Sequence, residues 1–260
     1  MFLLDAISRF LKERFNANRA SKNEDVRQRH DGGGIHRFAS AAERTISDCR
    51  RVRLLAEAVS AQSGRNPDCG TRDTICRLMA IAESAGLYVS NERLHSLGDA
   101  VSKRTGESYV YWNHAENAFY KAKNPDAKRP IKRTSWIDWP YEHVIHNILF
   151  SECPYDFIGI NESCGELRII LKQAAISSES FPSNEQIAQS LADRGLYPED
   201  MYFFGDGIVS VTDVGEHGDN VLLGDDGNVY FIDPLIRLHQ SAKMTIKLLT
   251  NINPDNIPAL

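Results

Sequence analysis

Apolar residues recur every three or four positions in two segments of the first third of the chain, which is the spacing of one face of a helix. Residues 36–62 carry one such stripe, and Gly64 and Pro67 follow it as helix-ending residues. Residues 72–85 carry a second stripe, and Gly86 follows. The pattern predicts two helices, for which packing or partner binding is the expected use.

The first fifteen residues show the same helical period, but charged positions interrupt the apolar ones. This pattern predicts an amphipathic helix rather than a signal peptide. We expect it to dock on the rest of the chain, with binding to a partner or a membrane surface as the alternative. Residues 16–34 are polar and end in three glycines, which indicates a flexible linker.

After about residue 105 the period changes to the alternation that is typical of strands. Residues 108–112 and 118–122 flank a polar turn and predict a hairpin. Further strands are predicted at 157–160, 167–171, 208–212, 220–223 and 229–232, and further helices at 139–150 and 183–194. Strands and helices do not alternate regularly, as a doubly wound parallel sheet requires, so the fold class is predicted to be α+β.

Three local signals fix the ends of predicted elements. Ser183 and Gln186 form a capping-box pattern at the start of the last predicted helix, and Gly195 ends that helix. Residues 161–166 are polar and predict a turn between two strands. Residues 224–227 contain two glycines and predict the turn of a C-terminal hairpin.

Composition narrows the class of protein. The chain is 42% hydrophobic and 25% charged, with a net charge of −5, which is typical of soluble globular proteins and gives no indication of nucleic-acid binding. No apolar run approaches the roughly 18 residues that cross a membrane. The five cysteines contain no CxxC pair, which favours free thiols in a reducing, cytoplasmic compartment. A zinc site at Cys49, Cys69, Cys76 and a histidine is the alternative.

The segment 209–234 carries the best candidate chemistry. Asp213 follows a predicted strand, Asn220 begins the C-terminal hairpin and Asp233 ends it. Carboxylate and amide oxygens are the ligands that a divalent cation such as Mg²⁺ prefers. A further carboxylate can orient or deprotonate an attacking hydroxyl. This combination suits phosphoryl transfer.

The order of a strand, Asp213, a loop, Asn220-Val-Leu, a hairpin and Ile-Asp233 resembles that of the protein-kinase-like superfamily, and is most similar to the polyvalent protein kinases of bacteria and phages. Other stretches resemble that group's glycine loop, lysine-bearing strand, helix C and post-hinge helix: residues 105–111, 118–122, 141–150 and 182–196. The resemblance covers roughly residues 85–237. It implies a compact kinase-like core with an antiparallel sheet, a helix C and a reduced C-terminal lobe.

The resemblance also implies ATP and Mg²⁺ as cofactors. Lys121 would hold the α and β phosphates, and Glu142 would pair with Lys121 from helix C. Gln173 would lie in the hinge that reads adenine. The backbone that covers the phosphates would be that of Gly106, Glu107 and Ser108.

In the same resemblance Asp213 would be the catalytic carboxylate, and Asn220 and Asp233 would bind Mg²⁺. The chain departs from the kinase pattern in the loop, because Asn220 follows Asp213 by seven positions instead of five. Asp219, in a His-Gly-Asp sequence, is therefore an alternative catalytic carboxylate. Since 27 residues follow Asp233, a full helical C-terminal lobe is not expected.

Three functions remain open from the sequence. The chain is predicted to be a kinase that acts on a protein or small-molecule hydroxyl, with a non-catalytic kinase-like binding module and a nucleotidyl transferase (AMPylator) as alternatives. The expected division is 1–35 as amphipathic helix and linker, 36–100 as a helical region and 101–260 as a minimal kinase-like domain. The helical region is the expected site of partner binding.

Overall fold

The computed structural model describes residues 72–101, 108–124, 139–163, 165–200, 203–215 and 220–239. The predicted amphipathic helix, linker and helix over residues 36–62 lie outside the described residues, as do Gly106, Glu107, Asp219 and the cysteines Cys49 and Cys69. The described residues combine helices with antiparallel sheets, as the α+β prediction requires. They divide into a five-stranded unit, within residues 40–147 and 153–175, and a C-terminal unit, which includes residues 148–152 and 176–239.

The five-stranded unit contains one antiparallel sheet with the strand order β1-β2-β3-β5-β4. The strands are β1 (Asp99–Ala100), β2 (Ser108–Asn113), β3 (Ala118–Lys123), β4 (Tyr155–Ser163) and β5 (Glu166–Ala174). Around the sheet lie the helices α1 (Arg72–Ser84), α2 (Asn91–Ser96) and α3 (Trp139–Leu149). Two aromatic pairs join β2 and β3, since Tyr111 pairs with Tyr120 and Trp112 with Phe119.

Both faces of this sheet are buried, because side chains alternate between faces along each strand. One face packs with residues of α1 and α3 in a core that includes Ala82, Trp139, Phe157, Ile169 and Leu171. The other face packs with α2 and the segment before it in a core that includes Val89, Leu94, Tyr111, Tyr120 and Ile170. Residues between 82 and 94 therefore contribute side chains to the two cores of the sheet. The predicted domain boundary at residue 100 stays a prediction.

The outer edge of β4 is covered by the chain between α1 and α2. Val89 N–H donates to the Ile160 carbonyl at 2.9 Å, and Ile160 N–H donates to the Leu87 carbonyl at 2.8 Å. Gly159 permits this approach, because a Cβ there would collide with the Leu87 carbonyl. The strand pairing shifts register between Phe157 and Gly159, so a bulge accompanies the contact.

The C-terminal unit contains a four-stranded antiparallel sheet, a two-stranded hairpin and one helix. The sheet has the order β11-β8-β7-β6 and the hairpin pairs β9 with β10. The elements are α4 (Asn184–Ala192), β6 (Tyr197–Pro198), β7 (Phe204–Gly205), β8 (Val209–Thr212), β9 (Val221–Leu223), β10 (Val229–Phe231) and β11 (Leu235–Leu238). Every residue of β8 is buried, as expected of a central strand.

Arg194, just after α4, ties three parts of the C-terminal unit together. Its guanidinium donates to the Leu149 carbonyl at 2.9 Å, to the Ser190 carbonyl at 2.6 Å and to the Glu152 carboxylate at 2.5 Å. It also lies 5.5 Å from the ring centroid of Phe231, which stacks on Phe150. A planar cation with several donors suits this set of acceptors and rings.

Several local predictions are confirmed. Ser183 and Gln186 form both bonds of a capping box at the start of α4, and Gly195 has a φ of 79° after its end. The turn of the C-terminal hairpin is held by Asp226, whose carboxylate accepts from the Asn228 backbone and the Tyr230 hydroxyl. The predicted turn at 161–166 is wrong in extent, because β4 continues to Ser163 and β5 begins at Glu166.

Candidate active site

Lys121 lies in β3 with its side chain on the sheet face that α3 covers. The pairing register sets this direction, since Lys121 pairs with Leu171, a residue of the core between that face and α3. The residue is only 8% exposed. Its ammonium donates to Gln173 Oε1 at 3.0 Å and to the Tyr155 hydroxyl at 3.4 Å, and it lies 5.2 Å from the Tyr155 ring centroid. A buried ammonium requires such acceptors, because burial removes its water.

Gln173 uses both ends of its side-chain amide. Oε1 accepts from Lys121, and Nε2 donates to the Cys153 carbonyl at 2.9 Å. Only this orientation satisfies both neighbours, because an ammonium can only donate and a carbonyl can only accept. The backbone of Leu171–Gln173 pairs with β3 on one side and β4 on the other. The pairing with β4 ends at Gln173, whereas the pairing with β3 continues to Ala174.

Helix α3 fixes the position of Tyr155 through two neighbouring polar residues. Asn147 Oδ1 accepts from Tyr155 N–H at 2.9 Å, and Asn147 Nδ2 donates to the Tyr155 carbonyl at 2.8 Å. The His146 ring lies 4.3 Å from the Tyr155 ring. Tyr155, Asn147 and His146 were not among the sequence-predicted site residues. Polar residues within an otherwise apolar helix were the signal that could have found the two on α3.

Glu142 and Ser108 also belong to the five-stranded unit. Glu142 lies in the first turn of α3 and is half-buried, and Ser108 is the buried first residue of β2. His143, which follows Glu142, is fully buried and stacks on Trp139, with 5.1 Å between the ring centroids. Burial, together with the positive charges of His146 and Lys123, lowers the pKa of His143 to about 3. This imidazole is therefore neutral at physiological pH.

Asp213 lies immediately after the central strand β8 of the C-terminal unit. The four residues of β8 are buried, whereas Asp213 is exposed. Its φ of 63° is in the left-handed region, where a residue other than glycine is uncommon. Such backbone strain is often found at functional sites, where surrounding contacts maintain it. The end of β8 thus places Asp213 at the surface of this unit.

Asn220 connects Asp213 with Asp233. The Asn220 side chain donates from Nδ2 to the Asp213 backbone carbonyl at 3.1 Å. Its own backbone carbonyl accepts from Ile232 N–H at 2.8 Å and from Asp233 N–H at 3.4 Å. Since Nδ2 faces Asp213, the remaining polar atom of the side chain is Oδ1, the atom that would bind a cation.

Strand β11 brings Asp233 toward the same end of the sheet as Asp213. Leu235 pairs with Thr212, so the residues just before Leu235 lie beside those just after Thr212. Asp233 is two residues before Leu235 and Asp213 follows Thr212. The sequence prediction missed β11, whose four residues follow a proline and give a short signal. Sheet register and the Asn220 bonds together bring the backbones of Asp213, Asn220 and Asp233 to one end of this sheet.

The two residues predicted to bind Mg²⁺ fit a divalent cation in their chemistry, because Asn220 carries an amide oxygen and Asp233 a carboxylate. Among the described residues no group of three or more histidine, cysteine, aspartate or glutamate side chains could hold a metal. The free thiols include Cys76, which is exposed, and Cys153, which is buried. No helix within the described part of the chain is long and apolar enough to cross a membrane.

Comparison with known proteins identifies the family. Residues 73–240 match the model Kinase-PolyVal, described as a Serine/Threonine/Tyrosine Kinase found in polyvalent proteins. This match spans more than half of the 260 residues and includes Lys121, Asp213, Asn220 and Asp233. No curated protein and no solved structure matches the chain. With its family match and the three polar residues gathered at one sheet end, the chain belongs to the kinase family found in polyvalent proteins.

Proposed function

We propose that this protein is an ATP- and Mg²⁺-dependent phosphotransferase that acts on a hydroxyl of a protein or small molecule. The observation that carries the proposal is the convergence of Asp213, Asn220 and Asp233, which the Asn220 hydrogen bonds and the pairing of β8 with β11 support. Family membership supports the same class of reaction. The ATP adenine would bind against the chain that follows Gln173.

In this proposal each residue has one task. Lys121 would bind the α and β phosphates as a positive charge, with Glu142 as its helix-borne partner. The backbone of Gly106, Glu107 and Ser108 would donate N–H groups to the phosphates. Asn220 Oδ1 and the Asp233 carboxylate would hold Mg²⁺, which supplies charge neutralisation for the phosphates when bound.

Asp213 would orient the acceptor hydroxyl and accept its proton. The hydroxyl oxygen would form a bond to the γ phosphorus, the bond from that phosphorus to the β,γ-bridging oxygen would break, and ADP would leave with the bond electrons. The Asn220–Asp213 hydrogen bond supports Asp213 in this role, because the bond holds the backbone of Asp213 beside the proposed metal ligand. Asp219 is the alternative catalytic carboxylate.

The test compares γ-labelled with α-labelled ATP in the presence of Mg²⁺, with the chain itself and a hydroxyl-bearing protein as acceptors. Transfer from γ alone supports the kinase. Transfer from α indicates a nucleotidyl transferase on the same residues. ATP binding without transfer of either label indicates a non-catalytic module.

Single substitutions test which residues the transfer activity depends on. Asp233→Asn and Asp213→Asn should each lower the transfer rate at least about 100-fold, since metal binding and proton acceptance are each expected to contribute on this scale. Asp219→Asn should retain most of the activity. Asp193→Asn is the matched control, because Asp193 is an exposed aspartate at the C-cap of α4 in the same unit. Equal losses in Asp233→Asn and Asp193→Asn would contradict the assignment.

A further inference from the structure

We propose that Gln173 and Tyr155 are positioning residues that hold the Lys121 ammonium from within the sheet, and this inference rests on the proposed role of Lys121. The placement of a kinase lysine ordinarily depends on a glutamate from a mobile helix. Here two acceptors on β4 and β5 approach the ammonium at 3.0 and 3.4 Å. Adjacent strands of one sheet move little relative to each other, so these acceptors give the lysine a fixed position.

The register of the sheet makes this contact a direct consequence of the fold. Gln173 pairs with Phe119 on β3 and with Tyr155 on β4. Directly paired residues share a face, and Lys121, two residues from Phe119, shares that face too. Lys121 therefore meets Gln173 diagonally across two neighbouring strands, within reach of a long side chain.

Both acceptors are themselves fixed. The amide of Gln173 is 3% exposed and is anchored at its other end by the Cys153 carbonyl. Tyr155 is 5% exposed, and Asn147 of α3 bonds both its N–H and its carbonyl. A donor–acceptor pair that is buried and held on both sides loses little conformational entropy when a phosphate binds. This arrangement is suited to presenting the ammonium in one place before ATP arrives.

The Gln173 amide oxygen and the Tyr155 hydroxyl carry no charge at neutral pH. These two acceptors therefore position the ammonium without neutralising its charge. Gln173→Glu, which places a carboxylate against Lys121, should therefore weaken ATP binding even though an acceptor oxygen remains.

The experiment measures ATP affinity by titration calorimetry and the reactivity of Lys121 by amine labelling with mass spectrometry. Gln173→Met removes the acceptor at similar length, and Tyr155→Phe removes only a hydroxyl. Each should weaken MgATP binding about tenfold, which is the scale of one hydrogen bond to a charged group, and should raise Lys121 labelling several-fold. In turnover assays the loss should appear mainly as a higher KM for ATP.

Tyr120→Phe is the matched control, because Tyr120 is an equally buried tyrosine of the same sheet whose hydroxyl bonds Glu116. It should leave both ATP affinity and Lys121 labelling unchanged. The inference is overturned if Gln173→Met and Tyr155→Phe behave like Tyr120→Phe. If the natural protein fails to bind ATP while the two variants still change Lys121 labelling, the positioning stands and the proposed function fails.

Discussion

The buried imidazole of His143 should make the protein less stable than it would be with an apolar ring at that position. His143 is 3% exposed, and neither ring nitrogen has a hydrogen-bond partner among the described residues. Removing an unsatisfied buried polar group avoids its desolvation penalty of about 1–3 kcal/mol. Phenylalanine keeps the stacking with Trp139, although its slightly greater size offsets part of the gain. We therefore expect His143→Phe to raise the free energy of unfolding by about 1–2 kcal/mol at pH 7.5.

The stabilisation of the protein by His143→Phe should be larger at acidic pH. The pKa of His143 is about 3 in the folded protein against 6.5 for an ordinary histidine, so between these values the unfolded chain binds more protons than the folded one. The contribution of neutral His143 to stability is complete above pH 6.5 and is lost as the pH falls toward 3. One pH unit below 6.5 corresponds to about 1.4 kcal/mol.

Urea denaturation at pH 7.5 and pH 5.5 would measure both effects. The natural protein should lose about 1.4 kcal/mol more than His143→Phe between the two pH values. His95→Phe is the control, because His95 is an exposed histidine on α2 and its replacement should change stability by less than about 0.5 kcal/mol. A His143→Phe protein that is destabilised at both pH values, or that keeps the same pH dependence, would refute the reasoning.

Three further predictions concern the fold. Arg194→Met should lower the free energy of unfolding by about 2–4 kcal/mol in chemical denaturation, because it leaves the Leu149 carbonyl and the Glu152 carboxylate without their donor. Ser183→Ala should cost about 1 kcal/mol by the same measurement through loss of the α4 cap, whereas Ser183→Thr should cost less. Gly159→Ala should lower the thermal midpoint by several degrees, because its Cβ would push the Leu87 segment away from β4. A midpoint unchanged in Gly159→Ala would show that the edge contact has room to adjust.

The sequence predicts the elements whose signals are local. The alternation of β2 and β3, the capping box at Ser183 and the turn at residues 224–227 each depend on a few neighbouring residues, and each is present in the structure. Elements too short to show a period were missed. These include the six-residue α2, the two-residue strands β1, β6 and β7, and the strand β11.

The residues of the candidate site show the same difference between local signals and long-range contacts. The positions of Asp213, Asn220 and Asp233 could be predicted because strand ends and hairpin ends mark them, while their roles stay predictions. The partners of Lys121 could not, because Gln173 and Tyr155 lie 52 and 34 positions away and meet it only through the pairing of β3, β5 and β4. Long-range register depends on the whole sheet, so local patterns carry little information about it.

The pairing of Thr212 with Leu235 has a consequence for how this chain can tolerate change. The pairing of β8 with β11 holds Asp213 and Asp233 in place. Asn220 bonds to the Asp213 carbonyl, so the two ends of the connection from Asp213 to Asn220 are also held together. Adding residues between fixed ends costs little closure entropy. A family member can thus lengthen this connection by two residues relative to the usual spacing without moving its acidic groups, whereas an insertion between Asp233 and Leu235 would shift one of them out of register.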